Sequence, residues 1–116
     1  MSETEILERR IYLSRLYDLY GPLLTERQRH VYEMHELEDL SLSEISAELE
    51  ISRQGVSDQL QRVRDKLEEF EKLLGLNARL ETIAHQAQIL AQEGASAKPL
   101  QLILEACGRK DGETRV

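Results

Sequence analysis

Three histidines and one cysteine are the obvious metal ligands and nucleophiles of this 116-residue chain. His30 and His35 stand five apart in a helical pattern, so they do not share a face as two ligands four apart would, and His85 is remote. Cys107 has no second cysteine to pair with; it suits a reducing compartment, either as an inert thiol or as a reactive one. No glycine-rich phosphate loop, cysteine cluster or Ser/His/Asp arrangement stands in a supporting context, and the many carboxylates read as helix surface. The expectation is no enzymatic activity, no metal and no cofactor. The remaining chemistry is recognition. Between residues 52 and 66, Gln54, Asp58, Gln61 and Asp65 form one helical stripe flanked by Ser57 and Arg62, with Arg53 near the helix start, where it can reach a phosphate. Gln and Arg match adenine and guanine edges in the major groove. Asp58 and Asp65 oppose phosphate, and Arg53, Arg62, Arg64 and Lys66 outnumber them by only two, so the segment is mildly basic.

That stripe needs a helix held rigidly from behind, and the stretch LSEISAELEISRQGVSDQL, Leu42 to Leu60, supplies the pattern of two helices joined by a tight turn. Ser41 and Glu44 have the spacing of a capping box, in which each side chain satisfies the other residue's free N–H. Ile45 and Leu49 fall on one face, Glu50 to Ser52 make the bend, and Ser52 can cap the second helix. Ser46, Ala47 and Gly55 are small where backbones would approach. The second helix is expected to run to Leu74, with Val56, Leu60, Val63, Leu67, Phe70 and Leu74 as an apolar seam. Ahead of the motif, Ser2 and Glu5 make a second box before a helix reaching Tyr20, ended by Gly21 and Pro22. Its apolar residues cover more than one stripe; Ile6, Leu13, Leu16 and Tyr20 are expected to meet the seam, and the remainder to contact the fold or a second copy as a homodimer. Tyr12, Tyr17 and Tyr20 suit packing or, alternatively, stacking on bases.

Thr25 begins a bracing helix to about His35, with Val31, Tyr32 and Met34 inward and Arg27 and Arg29 outward, either solvated or touching phosphate. Residues 36 to 50 hold Glu36, Glu38, Asp39, Glu44, Glu48 and Glu50 without a single Lys or Arg. Glu36, Glu38, Asp39 and Glu48 are candidates for docking a basic partner; the alternative is compensation of helix dipoles. Gly75 stops the long helix, and Asn77 to Gln92 is expected to form another, with Leu80, Ile83, Ala84, Ala87, Leu90 and Ala91 at helical spacing. A flexible linker at 93–98 precedes a short helix with Pro99 in its first turn, Leu100, Ile103 and Leu104. The chain therefore divides into an all-α helix-turn-helix domain at 1–76, a helical extension at 77–107 and a disordered tail at 108–116.

The segments LYDLYGPLLTERQR, EDLSLSEIS and SRQGVSDQLQR give a specific likeness. From Leu24 to Leu74 the chain resembles region 4 of bacterial sigma factors, and over residues 6–76 it resembles the YlxM-type family of small bacterial helix-turn-helix proteins. Glu50 departs from the glycine frequent at the turn. The resemblance implies an all-helical cytoplasmic protein grouped with the signal recognition particle system as an accessory or regulatory factor. The formal charge of −7 limits any nucleic-acid binding to a local patch. No run approaches the roughly 20 apolar residues of a membrane span, and the acidic start is unlike a signal peptide, which also predicts a cytoplasmic protein. Two functions remain open: a regulator that contacts DNA or RNA through residues 52–66, and an adaptor that binds protein or RNA components of the particle through its acidic surface and apolar helices.

Overall fold

The computed structural model describes residues 2–94 and 97–108. They form two compact units, one ending at Leu74 and the other beginning at Gly75, and both are helical. The first contains α1 (Glu3–Tyr20), a 3-10 turn at Gly21–Leu23, α2 (Glu26–Glu36), α3 (Leu42–Leu49) and the long α4 (Arg53–Leu74). Three of these starts are closed by reciprocal caps. Ser2 with Glu5 and Ser41 with Glu44 form the expected boxes, and Thr25 with Gln28 forms a third that the cap residue alone had not suggested. At Ser41 the Glu44 N–H donates to Oγ at 3.1 Å while the Ser41 N–H donates to Glu44 Oε1 at 2.9 Å.

Helices α1, α2 and α3 all pack on α4, whose seam serves two apolar clusters. Val56 and Leu60 close with Val31, Met34 and Ile45, edged by Leu40, Leu42, Leu49 and Ile51. Val63 and Leu67 close with Leu13, Leu16, Tyr20, Leu24 and Tyr32, edged by Tyr17, Leu19 and Phe70. Full burial of one such aliphatic side chain is worth about 1.5–3 kcal/mol, so this one stripe of α4 anchors most of the unit. Two expected seam contacts are not made. Ile6, one heptad before Leu13, keeps 48% of its surface exposed because the space it faces is an open groove. Leu74 is 45% exposed, one turn past Phe70, where the packed cluster ends.

The second unit contains α5 (Leu76–Gln92), which starts one residue earlier than expected, and α6 (Ala97–Ala106), which pack on each other. Ala84, Ala87 and Leu100 are buried, whereas Ile83, Leu90 and Ile103 stay exposed: α5 buries its small alanine face and α6 buries Leu100. The expected tail, apart from Gly108, and part of the expected linker lie outside the described residues. Among the described residues no helix is long and apolar enough to cross a membrane.

Candidate nucleic-acid interface

The turn between α3 and α4 is closed by its own polar atoms. Glu50 adopts the left-handed conformation at φ 57°, and the Ile51 N–H donates to the Ser46 carbonyl at 3.2 Å, while Ser46 Oγ donates to the Ile51 carbonyl. A glutamate held there costs about 1 kcal/mol relative to glycine. Ser52 then caps α4 by accepting the Gly55 N–H at 2.9 Å. The small size of Gly55 serves this cap rather than an approach of α3. A Cβ added to it would meet Ser52 Oγ at 3.2 Å, and its next neighbours are atoms of Ile51 in the same turn.

With Val56, Leu60 and Val63 buried behind it, α4 presents Arg53, Gln54, Asp58, Gln61, Arg62 and Asp65 on an exposed surface, with Ser57 half-buried beside them. The two glutamines are engaged along the helix: Gln54 Nε2 donates to Asp58 Oδ1 and Gln61 Nε2 donates to Asp65 Oδ1, each at 2.9 Å. Each pair holds its amide in a fixed direction and leaves the amide oxygen and one N–H of the glutamine for other partners. Arg53 and Arg62 have no ion-pair partner among the described residues. Arg27 is exposed on α2, and its Nε donates to Gln59 Oε1 at 3.4 Å, which ties the bracing helix to α4. Arg29 does not point fully outward as expected; it is half-buried.

The acidic candidates are not one wall. Glu38, Asp39 and Glu48 are exposed, but Glu36 is half-buried and turned into the unit, where Arg10 donates to its Oε2 at 3.0 Å and His35 Nδ1 lies 3.1 Å from its Oε1. Burial alone would raise the Glu36 carboxyl, but these two neighbours outweigh it and hold it below the usual range. The Glu44 carboxyl is lowered by its hydrogen bonds from Ser41, as befits the box. Sequence reasoning missed the Arg10–Glu36–His35 cluster, the Arg9–Glu68 pair and the Tyr17–Glu33 hydrogen bond, since each spans elements whose register the periodicity leaves free. It also missed Asp39, left-handed at φ 58° in the turn that follows α2, where the Leu40 N–H reaches back to the Met34 carbonyl at 2.9 Å. Among the described residues no group of three or more His, Cys, Asp or Glu is arranged to hold a metal.

A family model matches the sequence over residues 7–103: UPF0122, the helix-turn-helix proteins of YlxM / p13 like type. The chain belongs to the UPF0122 family. Among its relatives, a UPF0122 protein of Caldanaerobacter subterraneus subsp. tengcongensis is 54% identical over 66 residues, 57% of this chain and 56% of the relative. One of Thermoanaerobacter sp. strain X514 is 50% identical over 76 residues, 66% of this chain and 65% of the relative. The chain thus spans less than two thirds of the length of these two. A UPF0122 protein of Halalkalibacterium halodurans is 36% identical over 104 residues, 87% of this chain and 95% of the relative. The UPF0122 match reaches past residue 76, where the likeness of the sequence segments ended, and takes in α5 and most of α6.

Proposed function

We propose that this UPF0122 protein is a helix-turn-helix accessory or regulatory factor that binds DNA or RNA through residues 52–66, with Arg27 and Arg29 of α2 as flanking phosphate contacts. The observation that supports the reading best is the pairing of a seam buried at Val56, Leu60, Val63 and Leu67 with an exposed polar row on one helix, carrying Arg53 and Arg62 with no ion-pair partner among the described residues. In this view Arg53 and Arg62 contact phosphates or guanine, and the aspartate-braced Gln54 and Gln61 read base edges, with Ser57 as a further donor. In this reading the RNA of the signal recognition particle is a candidate target beside duplex DNA, as the resemblance to YlxM-type proteins implies. The test is fluorescence anisotropy of a labelled duplex and of that RNA at several salt concentrations. Arg53→Ala with Arg62→Ala is expected to weaken binding and, for duplex DNA, to reduce the log–log salt slope by about 1.8. Unchanged affinity in the double variant refutes the recognition row.

A second reading is favoured by the exposed Glu38, Asp39 and Glu48 in a chain of net charge −7: an adaptor that docks a basic protein of the same system. Neutralising these three is expected to abolish that docking while sparing nucleic acid. Exposed Ile6, Leu7 and Ile11 on the first half of α1 support a homodimer, and sedimentation equilibrium at tens of micromolar that gives only monomer removes it.

A further inference from the structure

Between α1, α2 and α4 lies a groove of about 490 Å³, within the roughly 300–1,000 Å³ typical of small-ligand sites. Ile6 and Leu13 of α1 and Leu40 after α2 form its apolar lining, and Tyr32 and Arg64 bring polar groups to it. Tyr32 is only 3% exposed, yet its hydroxyl makes no hydrogen bond among the described residues; the atom is not sealed from solvent, and Tyr32 is one of the residues that line the groove. Burial, with Glu36 nearby, pushes this phenol up to about 12, so at neutral pH it is a hydrogen-bond donor. Arg64 is half-buried on the same lining and has no ion-pair or hydrogen-bond partner among the described residues. The neighbouring charges are committed elsewhere. Arg9 pairs with Glu68, and Arg10 and His35 take both oxygens of Glu36. A hydroxyl that only solvent reaches and a half-buried guanidinium, neither bonded within the described residues and both on residues lining one partly apolar groove, are donors available to an acceptor.

We infer that this groove is a binding site for an aliphatic carboxylate, whose apolar body lies along Ile6, Leu13 and Leu40 and whose carboxylate accepts from Arg64 and the Tyr32 hydroxyl. Asp39 also lines the groove and no cation is bonded to it, which favours a singly charged head over a phosphate dianion. The same chemistry is offered by a free aliphatic acid and by a chain terminus ending in an apolar residue. The site is separate from the recognition row except at Gln61, which lines the groove as well.

The full chain, labelled with nitrogen-15, is titrated with octanoate and with N-acetyl-leucine, and against the neutral 1-octanol and N-acetyl-leucinamide, following the Arg64 side-chain and Tyr32 backbone resonances. Saturable shifts with either acid, and none with its neutral counterpart, are expected. Octanoate alone identifies a free acid as the ligand class, and N-acetyl-leucine alone identifies a chain terminus. Arg64→Gln is expected to weaken binding about ten-fold or more, since a hydrogen bond to a charged group is lost. Tyr32→Phe, which removes an unbonded hydroxyl and leaves the packing ring, is expected to weaken it several-fold, and Asp39→Asn to tighten it. Lys72→Gln, which removes an exposed cation outside the groove, is expected to leave these shifts unchanged. No shift with either acid at millimolar concentration, equal shifts with the neutral compounds, or indifference to Arg64→Gln and Tyr32→Phe in chains with native circular dichroism overturns the assignment.

Discussion

The first half of α4 rests on Val31, Met34 and Ile45, an aliphatic and thioether core, while its second half rests on Leu13, Leu16, Leu24 and two tyrosines. The tyrosine half is stitched at its edge by polar contacts between distant helices. Tyr20 donates to Glu71 at 2.6 Å, Tyr17 donates to Glu33, and Tyr17 stacks on Tyr32 with ring centroids 4.6 Å apart. The aliphatic half has one long contact of this kind, Arg27 to Gln59 at 3.4 Å, and its other polar bonds lie within the turn and along the helix surface, at Ser46, Ser52, Gln54 and Gln61. One helix thus combines an exposed polar face with a stem clamped by α1. Polar side chains spent on tertiary contacts in the stem are unavailable to a ligand, and those in the motif remain outward.

The largest effects are expected in the two cores. Ile45→Ala in one half and Leu67→Ala in the other are each expected to cost about 2–5 kcal/mol, read as a lower urea midpoint by circular dichroism at 222 nm. Because both clusters share α4, the near-ultraviolet tyrosine signal of the stem is expected to be lost with the motif; its survival in unfolded Ile45→Ala would show two independent cores. Ser52→Ala removes the cap of α4 and is expected to cost about 1 kcal/mol while leaving the tyrosine signal native. Glu50→Gly relieves the left-handed turn and is expected to raise stability by roughly 0.5–1 kcal/mol in thermal melts, sharpening the motif without touching the stem. The smallest effect is in pH. Burial, then the Glu33 hydrogen bond, raises Tyr17 to about 12, and burial with Glu36 raises Tyr32 to about 12, from an ordinary 10.0. A raised phenol stabilises the fold fully below pH 10 and is lost as pH climbs through 12, so an alkaline decline over that window is expected, flattened by Tyr17→Phe. On the acid side the lowered Glu36 carboxyl contributes above its ordinary value of 4.5, and that contribution fades as pH falls below it.

Local rules were legible where the cause is local. The boxes at Ser2 and Ser41, the cap at Ser52, the left-handed Glu50 and the unbroken run to Leu74 depend on neighbours within five residues or on an apolar period, and all are present. The outward row Arg53, Gln54, Gln61 and Arg62 followed from the position of the seam on the same helix. Ile6 and Leu74 belong to the right periodicity but lie where no apolar neighbour of their own unit packs over them, which a period cannot show. Glu36 looked like surface acid beside Glu38, and only the packing of α1 brought Arg10 to it.

The sequence by itself determined an all-helical chain, the positions of its turns and caps, and a long helix with one buried and one polar face, because backbone hydrogen bonding and side-chain period act over a few residues. The tertiary structure decided how that buried face is divided between two cores, which acids turn inward, and that Tyr32 and Arg64 meet one open groove. Those outcomes depend on the register and crossing of helices far apart in the chain, where many arrangements satisfy the same apolar period and only side-chain packing and pairing choose among them.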